Sequence, residues 1–319
     1  MTDLPVSYHS SKIVPTLSFS QKVLTWIQAM RAPFFTASIV PLVLGMAIAW
    51  NEYRIFDPIL GFLTLIAGTA IHAGTNLIND YFDQETDNIN KDFTPFSGGS
   101  RMIQNQTLEA RQILIASIIS YIVGILTAIY IVFTTEGTLL IVFLSIAVVL
   151  GICYTAIPVR FSYRGLGEIS VFVGFGPLGV FSAYYIQLGH INSDMLLIAS
   201  IPIATLIAMV LFINEFQDFE ADKTAGKNTL VVSLGKKTSL KIYVVGMVFV
   251  YLSLIGIVLV KGLSIVFFLP FITIPFALKA IQNATKNYSS IKELIPSNGL
   301  TVLTHFSFGI ILAFTFVIL

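Results

Sequence analysis

Residues 76–87 read Asn76, Leu77, Ile78, Asn79, Asp80, Tyr81, Phe82, Asp83, Gln84, Glu85, Thr86, Asp87. On an α-helix at 100° per residue, Asn76, Asn79, Asp80, Asp83 and Asp87 fall within one arc of about 100°. A solvated face would scatter its charges and pair them with lysines at i+4. Here only Glu85 lies off the stripe, and no basic residue interleaves. Like charges packed this closely repel, so a cation is expected among them. Carboxylate and carboxamide oxygens suit Mg²⁺, which dehydrates reluctantly and is usually held by one or two carboxylates plus substrate phosphates.

The stretch has a twin. Residues 214–222, Asn214, Glu215, Phe216, Gln217, Asp218, Phe219, Glu220, Ala221, Asp222, align without a gap on 79–87, 135 positions later. Asn, Asp, Glu and Asp coincide at four of nine places, with Asp/Glu and Tyr/Phe exchanges at two more. Nine of the 17 acidic residues lie in 80–92 and 215–222. Two facing stripes would hold two or more Mg²⁺ ions loosely, and the missing ligand is a polyphosphate.

Basic residues follow both stripes: Lys91 and Arg101 after the first, Lys223 and Lys227 after the second, with Arg160 and Arg164 on a further loop. Such cations neutralise the outer oxygens of a diphosphate and stabilise it as it leaves. The segment Thr94-Pro-Phe-Ser-Gly-Gly-Ser-Arg101 has the composition to wrap phosphate oxygens with backbone amides, although it fits a plain turn equally well.

The elements that must position these groups are membrane helices. Of 319 residues, 55% are apolar and 11% charged, against roughly 25% charged in ordinary globular proteins. Apolar runs near the ~20 residues that cross a bilayer occur at approximately 33–50, 58–79, 112–133, 137–155, 168–188, 195–214, 241–260, 263–280 and 300–319. The chain reads as an all-α membrane protein of nine spans. Both stripes end such runs, so a diphosphate held there would send a lipid tail into the bundle. Tyr81, Phe82, Tyr154 and Phe216 are the aromatics near enough to face a developing allylic cation.

With the N-terminus cytoplasmic, 16 of the 18 Lys and Arg residues fall on the cytoplasmic side; only Arg54 and Lys261 do not. This orientation puts both stripes on the cytoplasmic face and the C-terminus on the opposite side. The 135-residue offset spans an even number of runs, so the two halves are parallel repeats, with a ninth helix extra. Residues 1–16 read as a loose tail, and Leu17–Met30 as an amphipathic surface helix or the start of the first span. The domain expectation is therefore 1–32 as tail and interfacial helix and 33–319 as one transmembrane domain. No charged start with an apolar core and small-residue cleavage site is present, so no cleaved signal peptide is expected. The single cysteine, Cys153, excludes a disulfide or cysteine metal site, and no basic tract points to nucleic acid.

These residues resemble the UbiA-type superfamily of intramembrane prenyltransferases. Asn79-Asp80-Tyr81-Phe82-Asp83 with Asp87 matches its first Asp-rich motif, and Asp218-x-x-x-Asp222 its second. Within it, three pieces are similar to 1,4-dihydroxy-2-naphthoate polyprenyltransferases of menaquinone synthesis: Arg31-Ala-Pro-Phe-Phe-Thr-Ala-Ser38, Gly165-Leu-Gly-Glu-Ile-Ser170 and Asp222-Lys-Thr-Ala-Gly-Lys-Asn-Thr-Leu230. In the Tyr-x-x-x-Lys arrangement of some relatives Tyr154 is present, but Pro158 stands at the basic position and Arg160 is the substitute.

The resemblance implies helices around a lipid-open central cavity. It also implies Mg²⁺-dependent removal of diphosphate from a polyprenyl donor and attack by an aromatic acceptor, which for dihydroxynaphthoate loses CO₂. It assigns Asn79, Asp83, Asp87, Asn214, Asp218 and Asp222 to the metal, with the four aspartates catalytic. Arg101, Arg160, Lys223 and Lys227 go to the diphosphate, and Asn76, Asp80, Tyr154 and Glu168 are possible substrate or cation contacts, Asp80 more as an orienting group than as a metal ligand.

Two alternatives differ in kind. The same fold with 4-hydroxybenzoate, homogentisate, a porphyrin or a glycerol phosphate as acceptor keeps the chemistry. A cation transporter would instead place acids near mid-membrane, whereas both stripes sit at span ends beside basic loops. His72, His190 and His305 show no ligand spacing and read as hydrogen-bonded structural residues.

Overall fold

The computed structural model describes residues 18–319; the expected tail over 1–16 lies outside the described residues. Regular structure among them is helical, apart from a single bridge between Thr94 and Ser97. Helix α1 (Phe19–Ala29) starts with a capping box between Ser18 and Gln21. A short 3₁₀ turn leads into α2 (Thr36–Tyr53), α3 (Pro58–Phe82) and α4 (Gln84–Ile89). A loop over 90–109 precedes α5 (Ala110–Thr135) and α6 (Leu139–Cys153). Helix α7 (Gly167–Val173) passes through a π-helical turn, Gly174–Leu178, into α8 (Gly179–Leu188). Then follow α9 (Met195–Thr224), α10 (Leu230–Leu234), α11 (Lys236–Lys261), α12 (Ile274–Asn287, extended backwards by the 3₁₀ stretch Ile265–Thr273) and α13 (Ile291–Ile318).

Each of the nine apolar runs falls on one of these helical segments. Eight are long and apolar enough to cross a membrane; the ninth, α6, has only 15 residues. At 1.5 Å per residue α6 covers about 22 Å, short of the ~30 Å hydrocarbon core. Surface helix α1 is a separate element: Phe19, Val23, Leu24 and Ile27 are exposed, while Trp26, Ala29 and Met30 pack on Leu77, Met102 and Ile113.

Between helices in lipid there is little hydrophobic gain, so packing and interhelical hydrogen bonds decide association. The tightest part is a core shared by α2, α9, α11 and α13, with Phe212, Phe216, Tyr243 and Phe308 fully buried. There α2 and α8 approach so closely that a Cβ at Gly45 would collide with the Val180 carbonyl. Tyr243 Oη and Thr301 Oγ1, 2.6 Å apart, tie α11 to α13. The other part is α3 against α5, tied by Ser117 Oγ donating to the Gly74 carbonyl at 2.8 Å, and the outer face of α5 (Ile118, Ile119, Ile122, Leu126) is exposed. Helix α9, the most buried span, separates the tight core from a cavity walled on its other sides by α2, α3, α5, α6 and the α7–α8 segment.

Candidate active site at the mouth of the cavity

Helix α3 starts on Asp57, whose carboxylate accepts from the Ile59 and Leu60 amides, with Pro58 at the first position. It ends at Phe82, because Asp83 leaves the helical region at φ −91°, ψ 11°. The ladder nevertheless carries across the joint, Asp83 N to Asn79 O at 2.9 Å and Asp87 N to Asp83 O at 2.8 Å. The first stripe therefore bends without losing its common face. The second stripe lies wholly within α9.

Asn79, Asp83, Asp87, Asn214, Asp218 and Asp222 all line the same cavity. Lys227 spans the gap between the stripes, its ammonium 3.1 Å from Asp83 and 3.8 Å from Asp222. Asn90 Nδ2 makes a second bridge, donating to Asp218 Oδ1 at 2.7 Å. Asp83 is further held by Tyr163 Oη at 2.8 Å and Asn79 Nδ2 at 3.2 Å. Asn214 Oδ1 accepts from Asn298 Nδ2 at 2.7 Å. The Asp87 carboxylate accepts no hydrogen bond from the described residues and lies against Gly99, at φ 75°, where a Cβ would strike it.

Several groups here titrate away from habit. Burial lifts the Asp87 carboxyl to about 7, with Asp83 and Asp80 adding to the rise and Arg31 and Lys227 opposing it. Burial alone would lower Lys227, yet Asp83 and Asp222 hold it well above the usual lysine value. Burial, then Asp83, pushes Tyr163 up to about 12, so it stays a donor.

Among the described residues, no three His, Cys, Asp or Glu side chains form a ready-made metal cage. The donor set nonetheless offers oxygen throughout, with Asp83, Asp87 and Asp222 buried and Asp87 short of donors. It fits a hard cation that completes its shell with phosphate oxygens, as Mg²⁺ does.

Of the four cations expected at the diphosphate, only Lys227 reaches the cavity wall. Arg101 donates to the Asp87 main-chain carbonyl and stacks on Phe93 at 4.3 Å. Arg160 stacks on Tyr163 at 3.8 Å. Lys223 is exposed beside Phe219, because its place on α9 directs it away from the Asp222 face. Of the other contacts, Asn76 and Tyr154 line the cavity. Asp80 does not; it is buried, pairs with Arg31 at 2.6 Å and accepts from the Ser100 amide at 3.2 Å. Glu168 also stands off the wall, its two buried carboxyl oxygens bonded to none of the described residues.

Arg31 is the cation that spacing did not reveal: it lines the cavity beside the first stripe, and its Nε has no partner. The available signal was its place as the lone cation between Met30 and Ala-Pro-Phe-Phe. Ser97, Gly98 and Gly99 also reach the wall, while the amide of Ser100 is spent on Asp80.

Among the described residues, a helical bundle with two acidic stripes at the mouth of one largely apolar cavity defines a membrane protein built around a buried polar site. The chain belongs to the UbiA prenyltransferase family, whose profile matches residues 38–298, and is a prenyltransferase. It is 30% identical over 301 residues to the Xenopus tropicalis UbiA prenyltransferase domain-containing protein 1, covering 93% of this chain and 84% of that one. It is 27% identical over 286 residues to the Bacillus subtilis 1,4-dihydroxy-2-naphthoate octaprenyltransferase, covering 90% of each. The structure of a UbiA homolog from Archaeoglobus fulgidus bound to GPP and Mg²⁺ shares the fold, with TM-score 0.64 and 17% identity over 92% of this chain and all of that one.

Proposed function

We propose that this prenyltransferase moves a polyprenyl group from its diphosphate to 1,4-dihydroxy-2-naphthoate, with loss of CO₂, in menaquinone biosynthesis. The observation that carries the reading is the convergence of both acidic stripes on Lys227 at the mouth of one cavity. The Bacillus relative supports the choice of acceptor. The site faces the cytoplasm on the charge bias of the loops, and residues 33–319 act as one catalytic domain.

Asn79, Asp83, Asp87, Asn214, Asp218 and Asp222 are the residues that would hold Mg²⁺, which when bound neutralises diphosphate oxygens as a Lewis acid. Lys227 and Arg31 hold the outer oxygens of the diphosphate, and Lys227 stays charged because two carboxylates flank it. Arg101 positions Asp87 through its carbonyl, Asp80 pins the 94–101 loop, and Tyr163 fixes Asp83. The apolar wall over Ala67, Gly68, Ile71, Ala128 and Leu144 takes the prenyl chain and excludes water from the allylic centre. Tyr154, with its ring on the same wall, faces that centre.

The test is incubation of purified protein with labelled long-chain polyprenyl diphosphate, Mg²⁺ and dihydroxynaphthoate, beside Asp83→Asn and an EDTA control. Magnesium-dependent prenylated product lost in the variant is the expected result. Diphosphate release without that product would move the acceptor to another class, and no turnover of diphosphate would sink the reading.

A further inference from the structure

Deeper in the cavity one polar ring stands apart from the acidic mouth. His72 lies on α3 seven residues before Asn79 and eleven before Asp83. It therefore shares their face about 10 Å and 16 Å further along the axis. Its ring packs between Phe35 and Phe175, with centroids 5.4 and 4.7 Å away. Phe175 is delivered there by the π-helical turn Gly174–Leu178, a rare feature that recurs at functional sites. The surrounding wall, Ala37, Ile207 and Val210, is apolar.

Both contacts of the Ser38 hydroxyl are satisfied together when Nδ1 carries the ring proton. Ser38 Oγ has one proton and donates it to the Phe35 carbonyl at 3.0 Å. Its 3.2 Å contact with His72 Nδ1 is then a bond in which Nδ1–H donates to Oγ. The lone pair of the neutral ring is left on Nε2. That nitrogen bonds to none of the described residues, and unlike the enclosed Nε2 of His305 it keeps accessible surface on a ring that lines the cavity. The ring packing and the Nδ1 contact occupy the rest of the imidazole and leave Nε2 facing the cavity.

We propose that His72 Nε2 takes the hydroxyl proton of the aromatic acceptor. This rests on the reading above that the acceptor is a hydroxylated aromatic. The O–H bond breaks, its proton passes to Nε2 and its electron pair enters the ring. The ring carbon bonds to the first carbon of the prenyl group, and the bond from that carbon to the diphosphate oxygen breaks with its electron pair. Diphosphate leaves; the bond from the same ring carbon to its carboxylate then breaks, CO₂ departs, and the electron pair returns through the ring to the oxygen, which takes back the proton from Nε2. The Phe175 ring stacks the acceptor beside His72, and Ser38 holds the tautomer.

The experiment uses the full chain in nanodiscs with Mg²⁺, dihydroxynaphthoate, its mono-methyl ethers and labelled polyprenyl diphosphate. His72→Phe keeps the packing and removes the acceptor atom; His72→Gln keeps a hydrogen-bond acceptor that is not a base. The expected result is an about 100-fold fall in kcat for His72→Phe, the usual scale of general-base loss, with donor KM within about twofold. His72→Gln recovers acceptor KM but not kcat. The wild-type preference for one free hydroxyl over its methyl ether disappears in His72→Phe. Wild-type turnover with an unchanged kcat and unchanged hydroxyl preference in His72→Phe overturns the inference alone. Should that variant not fold, a wild-type kcat in His72→Gln overturns it equally. A wild-type enzyme that prenylates no hydroxylated aromatic overturns the underlying reading as well.

Discussion

The first acidic stripe crosses a joint between two helices, whereas the second runs unbroken along α9. Asp83, at the joint, gathers Asn79, Tyr163 and Lys227. Its counterpart Asp218 accepts from Asn90, a residue contributed by the first half. The repeat position before them is also split. Asp80 holds Arg31 and the Ser100 amide, while Glu215 approaches only the Val231 amide, at 3.5 Å. In both halves this buried carboxyl reaches the backbone of the segment that follows its stripe. The difference teaches that the halves keep the same anchors but have divided the work. The first half is braced by cations and a loop, and the second is braced by helix packing.

Exchanging anchors tests that division. Asp83→Asn unties three partners at once, and removing one member of a buried charged pair costs about 3–5 kcal/mol; its turnover should fall by about 10²–10³-fold. Asp218→Asn, with one partner, should fall less, and an equal or larger loss would refute the asymmetry. Lys227→Met should lower turnover by about 10²-fold while Mg²⁺ alone binds tighter in calorimetry, since Asp83 and Asp222 lose their internal cation. Asp80→Asn should cost about tenfold and speed hydrogen exchange at the Ser100 amide. Glu215→Gln should barely move Val231, whose contact is at the limit of hydrogen bonding.

Protons compete with metal at Asp87. With its carboxyl raised to about 7, Mg²⁺ affinity measured by titration should weaken by up to about tenfold per pH unit below 7. The metal-free fold runs the other way. A carboxyl raised in the folded state favours folding below its ordinary value of 3.8, and that contribution is lost as pH rises through about 7. The melting temperature without metal should therefore drop across that window, and Mg²⁺ with diphosphate should restore it. The smallest effect belongs to Lys223→Ala, less than about twofold in turnover, because this exposed side chain sits where screening is strong.

Much of the bundle was legible because membrane spans are written in runs of apolar residues. All nine runs fall on helices, and the shared spacing of the two stripes foretold that they would meet one cavity. What escaped was whatever depends on two distant segments touching. The loop cations were assigned by proximity in sequence, but helix phase turns Lys223 outward, and the Asp87 carbonyl captures Arg101. Arg31 becomes a neighbour of Asp80 only once α1 docks, with the Met30 carbonyl held by Asn76 at 3.0 Å. His72 reads as an ordinary buried histidine until the π-helical turn, invisible in periodicity, brings Phe175 beside it.

The Lys227 bridge also has a temporal meaning. Asp83 and Lys227 stand 144 residues apart, so during synthesis the first half is inserted in the bilayer while its future counter-ion is still unmade. A carboxylate sealed in hydrocarbon without a partner is expensive, so the nascent half-bundle must leave Asp83 open to water. Closure of the mouth waits until residue 227 is made, and a chain arrested before it would carry its acidic stripe on a wet, unfinished surface.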